Sequence, residues 1–225
     1  MPVAPLRPPL RIAVLISGGG SNLQALMDGC ATGLIPGQIV LVISNRSDAF
    51  GLERAKKYQI PTRVIDHRLF SLRASFDQMV ARALEEAGAE LVCLAGFMRV
   101  LTSDFVQYYA GRLLNIHPAL LPAFPGIHVQ RQAIEAGVRF SGATVHFVVP
   151  EVDSGPIVIQ AVVPVLADDT PDTLAARILR QEHRIYPLAV RWFAQGRLRL
   201  EEGRVRVMDG EEDDLGVLVN PMGEA

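Results

Sequence analysis

Short apolar runs that alternate with helix-length amphipathic segments fill the first half of this 225-residue chain. The runs cover residues 10–16, 39–43, 63–65, 91–95 and 113–116, and helical spacing covers 22–30, 49–58, 71–87 and 103–109. Strands buried on both faces are continuous apolar runs, and strands that alternate with helices favour a parallel sheet. The sequence therefore predicts an α/β fold with an open, mostly parallel twisted sheet and helices on both faces.

The pattern changes after Asn115. Residues 117–128 contain three prolines and one glycine, which predicts a long ordered loop. Two strand-like runs, 142–149 and 156–163, are joined by a short turn and predict antiparallel strands near the C-terminus. Further on, residues 171–195 predict a long helix that Pro187 interrupts or bends, and residues 198–208 predict a small hairpin.

Composition limits the class of protein. The net charge of −2 and the hydrophobic content of 49% fit a globular protein and argue against a dedicated nucleic-acid binder. No run approaches the roughly 20 apolar residues of a membrane helix, and two cysteines cannot build a disulfide framework. We expect a cytoplasmic monomer or homodimer with a disordered leader (1–9), one domain (10–209) and an acidic, flexible tail (210–225), acting on small molecules without nucleic acid, membrane or metal.

A glycine-rich turn follows the first strand, where ligands bind in open parallel sheets. Its last residues, Gly20, Ser21 and Asn22, precede a helix, and helix N-termini bind anions. The dinucleotide pattern would need glycine where Leu23 stands, and the Gly-Lys-Ser/Thr of a triphosphate loop is absent. The turn therefore predicts a site for one phosphate on a small substrate; the alternative is a tight turn that merely needs glycine.

A second polar group follows the fifth strand. Asn115 and His117 lie on the same side by strand alternation, and an amide beside an imidazole suits the oxyanion of acyl transfer. Asp153 lies in the turn between the late strands, and a buried carboxylate there would stabilise a protonated imidazole. The alternatives are a structural histidine and a simple turn aspartate. Among the other histidines, His146 either faces the cleft or packs, and no partner is evident for those at 67, 128 and 183.

Four motifs in order resemble the phosphoribosylglycinamide formyltransferase family, also called glycinamide ribonucleotide transformylases. They are GGGSNLQ (18–24), AGFMRVL (95–101), NIHPALLP (115–122) and GATVHFVVPEVDSG (142–155). The similarity runs from about residue 11 to residue 200. Ala119 departs from the serine that family members often carry, which removes a hydroxyl from the loop and no proposed catalytic group.

The resemblance implies a Rossmann-like formyltransferase fold and an enzyme of purine biosynthesis and one-carbon metabolism. A formyl group would pass from 10-formyltetrahydrofolate, the co-substrate, to the amine of N1-(5-phospho-D-ribosyl)glycinamide, with catalysis by Asn115, His117 and Asp153. It implies that the ribonucleotide is held by Gly20, Ser21, Asn22 and Glu182. It implies that the folate is held by Arg73, Met98, Arg99, Val100, Leu101, Asn115, Val149, Pro150, Glu151, Val152 and Asp153.

Without the resemblance, Met98, Val100 and Leu101 would be interpreted as core residues and Arg73 as a solvated helix charge. Three rival functions share parts of the pattern. A methionyl-tRNA formyltransferase should carry a further C-terminal nucleic-acid-binding domain and a basic balance, and a formyltetrahydrofolate hydrolase should carry an N-terminal regulatory domain. A sensor of a phosphorylated metabolite explains the glycine turn but not the combination of Asn115, His117 and Asp153.

Overall fold

The computed structural model describes residues 8–208. Its main sheet has seven strands in the order β3–β2–β1–β4–β5–β6–β7. They are β1 (Leu10–Ile16), β2 (Gly37–Ser44), β3 (Thr62–Val64), β4 (Leu91–Leu94), β5 (Leu113–His117), β6 (Phe140–Phe147) and β7 (Ile157–Pro164). The helices are α1 (Ser21–Ala31), α2 (Phe50–Lys57), α3 (Arg73–Glu86), α4 (Ser103–Tyr108), α5 (Val129–Glu135) and α6 (Pro171–Ala194).

The first five strands pair in parallel, whereas β6 and β7 join antiparallel. The predicted fold class is thereby confirmed. The chain first runs from β1 outwards to β2 and β3 on one side of the sheet. It then returns, and β4 pairs with the other side of β1, so the order of the strands reverses at this point. Ligands of open α/β sheets bind at such a switch point, outside the carboxyl ends of the strands. The fold thus directs attention to the turns that follow β1 and β4.

Helices cover both faces of the sheet. Ile12, Val14 and Ile16 of β1 pack with residues of α1, α2, α5 and α6, whereas Ala13 and Leu15 pack with α3 and α4. All five side chains are fully buried, because successive residues of a strand point to opposite faces and each face is covered. This double burial explains why the first strand is a continuous apolar run.

Two sequence predictions need correction. Helix α6 is continuous through Pro187, so the interruption, one of the two outcomes predicted for this proline, is absent. A proline removes one backbone hydrogen bond, and the apolar face of this helix, including Leu174 and Ile178, is buried in the core and stabilises it. The sequence interpretation also missed α5, a seven-residue helix whose Ala133 is buried.

The C-terminal hairpin is confirmed as β8 (Leu198–Glu201) and β9 (Arg204–Val207), which pair antiparallel. Residues 1–7 of the predicted leader and the predicted acidic tail lie outside the described residues, and the domain division stays a prediction. Within 8–208, no helix is long and apolar enough to cross a membrane.

Candidate active site

The turns after β1 and β4 are tied to each other at the switch point. The Ser17 amide donates to the Gly96 carbonyl (3.2 Å), and the Met98 amide donates to the Ser17 hydroxyl (2.8 Å). That hydroxyl in turn donates to Oδ1 of Asn45, the residue that follows β2 (2.7 Å). The carboxyl ends of three neighbouring strands are therefore held as one unit.

The glycine turn, residues 17–20, leads directly into α1. Gly20 precedes the helix in the left-handed region (φ 69°), and no side chain among the described residues caps the first turn. The first helical hydrogen bond runs from the Gln24 amide to the Gly20 carbonyl (2.9 Å). The amides that precede Gln24 are the orphan donors of a helix N-terminus, and they suit an anion.

Asn22 lies in the first turn of α1 and is joined to α6. Its Nδ2 donates to Oε2 of Glu182 at 2.6 Å, and both side chains are buried. Burial raises the pKa of Glu182, and the hydrogen bond from Asn22 opposes that rise. The structure thus brings together two of the residues that the family resemblance assigned to the ribonucleotide.

A cleft of about 440 Å³ lies between α1, α2 and α6, and its lining includes the chain neighbours of this pair, Ser21 and His183. Arg54 also lines the cleft. Two buried polar atoms in this region, Asn22 Oδ1 and His183 Nε2, have no hydrogen-bond partner among the residues described. Buried polar atoms are normally paired, so these atoms are available to a polar ligand.

Four side chains on β5, β6 and the turn after β6 form the polar cluster: Asn115, His117, His146 and Asp153. His117 Nδ1 lies 3.4 Å from Asp153 Oδ2, and His146 Nε2 lies 3.8 Å from Asp153 Oδ1. Asn115 Nδ2 lies 3.2 Å from His146 Nε2. The three residues assigned to catalysis from the sequence are therefore close together, and His146 joins them.

The backbone conformation of the turn 150–155 places the Asp153 side chain in the cluster. Asp153 has a φ of 51°, a left-handed conformation that aspartate tolerates better than most residues. Its Oδ2 also accepts a hydrogen bond from the Gly126 amide (2.8 Å) in the loop 118–128. Gly155 allows the turn to close, because a Cβ there would lie 1.8 Å from the Phe147 carbonyl oxygen. Asp153 is thus a turn residue and a member of the polar cluster at once.

His117 is nearly enclosed, with about 4% of its surface exposed. Its Nε2 lies 2.9 Å from the carbonyl oxygen of Phe124, and its Nδ1 faces the Asp153 carboxylate. A protonated imidazole carries an N–H on both nitrogens, and a carbonyl and a carboxylate are both acceptors. Nε2 therefore has a hydrogen-bond acceptor in Phe124, and Nδ1 faces a negatively charged acceptor at ion-pair distance, an arrangement that suits a protonated ring.

The segment 97–101 contains four of the residues assigned to the folate, and they differ in exposure. Met98 and Val100 are exposed (73% and 49%), which argues against the core alternative for both. Leu101 is buried in the core beside α3, as that alternative held. The guanidinium of Arg99 lies over the Phe76 ring at 4.6 Å, and its buried Nε lacks a hydrogen-bond partner within residues 8–208.

The other positions assigned to the folate lie near the surface. Arg73 is exposed at the first position of α3. In the turn after β6, Val149 is half-buried, and the three residues that follow it, Pro150, Glu151 and Val152, are exposed. An open rim of this kind leaves room for a ligand to enter from solvent.

A family model described as formyl transferase matches residues 10–190. The chain belongs to the formyl transferase family. It is 50% identical over 193 residues to the phosphoribosylglycinamide formyltransferase of Escherichia coli (strain K12), covering 86% of this chain and 91% of that one. The resemblance seen in the four motifs is confirmed, and the protein is a formyltransferase enzyme.

Solved structures agree with this assignment. The crystal structure of glycinamide ribonucleotide transformylase 1 from Symbiobacterium toebii matches with a TM-score of 0.88 and 53% identity, covering 89% of this chain and 95% of that one. A formyltetrahydrofolate deformylase from Pseudomonas syringae pv. tomato matches with a TM-score of 0.84 and 25% identity, covering 91% of this chain and 67% of that one.

Sequence reasoning missed three residues that line the candidate site of this formyltransferase. His146 was left between two interpretations, although pairing the late strand antiparallel to β5 would have placed it opposite Asn115. Arg54 and His183 lie in elements far apart in sequence, and no local pattern marks them. Within the described range 8–208, no group of three or more His, Cys, Asp or Glu side chains could hold a metal ion.

Proposed function

We propose that this formyltransferase transfers a formyl group from 10-formyltetrahydrofolate to the amine of N1-(5-phospho-D-ribosyl)glycinamide. The products would be N2-formyl-N1-(5-phospho-D-ribosyl)glycinamide and tetrahydrofolate, a step of purine biosynthesis. The observation that carries the proposal is the placement of Asn115, His117 and Asp153 in one cluster at the carboxyl edge that also holds the uncapped N-terminus of α1. A cytoplasmic location and a monomeric or homodimeric state stay predictions from the sequence.

The ribonucleotide is assigned to the end of the cleft at the glycine turn. The amides of Gly20, Ser21 and Asn22 would hold its phosphate, since they precede the first helical hydrogen bond. Glu182 is buried 2.6 Å from Asn22 and would accept from a ribose hydroxyl or the glycinamide end. This placement would direct the glycinamide amine towards β5.

The folate is assigned to the opposite rim. Exposed Met98 and Val100 would contact the flat pterin, and the turn 149–153 would enclose it. The positive charges of Arg73 and Arg99 would attract its anionic glutamate tail. Leu101 would act through its backbone, because its side chain lies in the core.

In the reaction, the amine nitrogen attacks the formyl carbon, and the carbonyl oxygen becomes an oxyanion. Asn115 and protonated His117 would donate hydrogen bonds to that oxygen. Both N–H sites of His117 face internal acceptors in this structure, so one would turn to the oxyanion when the substrates bind. The bond between the formyl carbon and the folate nitrogen then breaks, and the amine proton moves to that nitrogen with Asp153 assisting.

The decisive test is absorbance-detected release of tetrahydrofolate from 10-formyltetrahydrofolate, with and without the ribonucleotide. We expect release only when the ribonucleotide is present, with one formylated product per folate released. The likeness to a deformylase makes water the principal rival acceptor. Equal release without the ribonucleotide would indicate a hydrolase, and no release with both substrates would indicate a binding protein.

A further inference from the structure

His146 is the one member of the polar cluster that the proposed reaction does not use. In the antiparallel register of β5 and β6, it lies directly opposite Asn115. Side chains in such cross-strand pairs lie on the same face and contact each other. The contact here joins Asn115 Nδ2 to His146 Nε2 at 3.2 Å, and only about 2% of the His146 surface is exposed.

The other ring nitrogen of His146 determines which tautomer is present. Nδ1 lies 3.0 Å from the Phe147 carbonyl oxygen, which can only accept, so Nδ1 carries the hydrogen. In a neutral ring Nε2 is then an acceptor, and the group that faces it must be the NH₂ of Asn115. If the Asn115 amide were reversed, its oxygen would face a lone pair and the contact would be repulsive.

The charge on His146 depends on what surrounds it. The Phe147 carbonyl and Asp153, whose Oδ1 lies 3.8 Å from Nε2, favour the protonated ring, and the nearby His117 disfavours it. Burial is the largest influence and lowers the pKa of His146. The neutral ring, with its Nε2 free to accept, is therefore the form that fits the site.

We propose that His146 is a positioning residue, which accepts a hydrogen bond from one N–H of Asn115 and thereby orients the amide so that its other N–H is available to the reacting formyl oxygen. Asn115 needs such a partner because an amide can present either its oxygen or its nitrogen to a given atom, and only the nitrogen stabilises an oxyanion. A protonated His146 would reverse this preference, since its Nε2–H would attract the amide oxygen. The role rests on the proposed function for its chemistry and on the Phe147–His146–Asn115 chain for its geometry.

A double-mutant cycle with Asn115→Ala tests whether His146 acts through Asn115. We expect His146→Phe, which removes the acceptor, to lower kcat by roughly ten- to one-hundred-fold, less than the 10²–10³ expected for loss of an oxyanion donor itself. The KM of each substrate should change by less than about threefold. In the Asn115→Ala background, His146→Phe should lower kcat by no more than about twofold. Retention of the full factor there, or an unchanged kcat in the single variant, would overturn the proposal.

Matched variants separate positioning from folding. His146→Gln retains an acceptor oxygen and should keep more kcat than His146→Phe. His146→Leu also lacks an acceptor and replaces His146→Phe in the cycle if the phenylalanine variant does not fold. Ser141→Ala changes another buried polar side chain of β6 and should leave kcat unchanged. A kcat for His146→Gln no higher than that for His146→Phe would contradict the hydrogen-bond role.

The ¹⁵N shifts of the His146 ring in the wild-type enzyme test the geometry without any substrate. We expect a protonated Nδ1 and an unprotonated Nε2 at neutral pH, and a protonated Nε2 would overturn the inference. If the wild-type enzyme released no tetrahydrofolate in the presence of ribonucleotide, the proposed function would fail. The tautomer measurement would still report separately on the hydrogen bond.

Discussion

The polar cluster and the glycine turn lie along the same edge of the sheet and are built in opposite ways. In the polar cluster, side chains from β5, β6 and the turn after β6 face one another within 4 Å, and His117 and Asp153 are also bonded to the loop 118–128. In the glycine turn, the groups offered to a ligand are backbone amides, which no side chain within the described residues caps. One region is organised before substrate arrives, and the other keeps its donors open.

This difference predicts which property of the enzyme a substitution in each region should change. We expect charge and tautomer to matter in the polar cluster, because the groups proposed to react are side chains that contact one another. Backbone conformation and space matter in the glycine turn, because Gly20 has a positive φ and lies against Gly51. We therefore expect cluster variants to lose kcat while the fold is kept, and turn variants to lose stability or ribonucleotide binding.

The largest effect is expected for Asp153→Asn, which keeps the side-chain shape and removes the charge beside His117. The amide oxygen can still accept from the Gly126 amide, so the turn should remain folded. We expect kcat to fall by roughly 10²–10⁴, by analogy with loss of the aspartate behind a catalytic histidine. Steady-state kinetics should show each KM within about threefold of the wild-type value.

Asp168→Asn removes a charge from an exposed position outside the cluster and should have no effect on kcat. A kcat within tenfold of wild type for Asp153→Asn would show that the cluster does not depend on this charge.

The second prediction concerns the glycine turn. A Cβ on Gly20 would lie 2.6 Å from the Gly51 Cα, and its φ of 69° is unfavourable for a branched residue. Gly20→Val should therefore lower the free energy of unfolding by on the order of 2–4 kcal/mol in urea titrations. At Gly18 a Cβ would have no neighbour within 4 Å among the described residues, so Gly18→Ala should keep the stability. Equal stability of both variants would refute the packing role of Gly20.

The third prediction concerns Arg73, an exposed residue of the proposed folate site. Arg73→Ala should raise the KM for the folate by roughly two- to fivefold, since a solvent-exposed charge contributes about 1 kcal/mol at most. The KM for the ribonucleotide should not change. Arg82→Ala, at an exposed position of the same helix, is the matched control and should affect neither substrate. A change in ribonucleotide KM alone would move Arg73 out of the folate site.

The smallest effect is expected from the pH dependence of Glu182. Burial raises its pKa above the unfolded value of 4.5, so the folded state prefers the protonated carboxyl. Its contribution to stability is present below pH 4.5 and is lost as the pH rises through the raised pKa. Glu182→Gln cannot ionise, so its free energy of unfolding relative to wild type should increase between pH 4 and pH 7. The hydrogen bond from Asn22 favours the carboxylate and keeps the difference small. Urea titrations that show a constant or decreasing difference would contradict this sign.

The alternation of elements in the first half could be predicted because it depends on local burial. Continuous apolar runs such as β1 are buried on both faces of the sheet, and the predicted bounds of this strand agree with the structure. Where packing overrides a local signal the sequence was less informative: α6 continues through Pro187, so the interruption that was one of its two predicted outcomes is absent. The prediction failed for α5, a seven-residue helix that follows the proline-rich loop.

The sequence by itself determined the kinds of groups available: a glycine turn before a helix, an amide and an imidazole on one strand face, and a carboxylate in a late turn. The order of these groups along the chain was sufficient to identify the family. Only the tertiary structure decided that His146 lies opposite Asn115, that Glu182 meets Asn22 across 160 positions, and that Leu101 belongs to the core. The physical reason is that strand register and helix packing bring distant residues within hydrogen-bond distance, and no local periodicity encodes those distances.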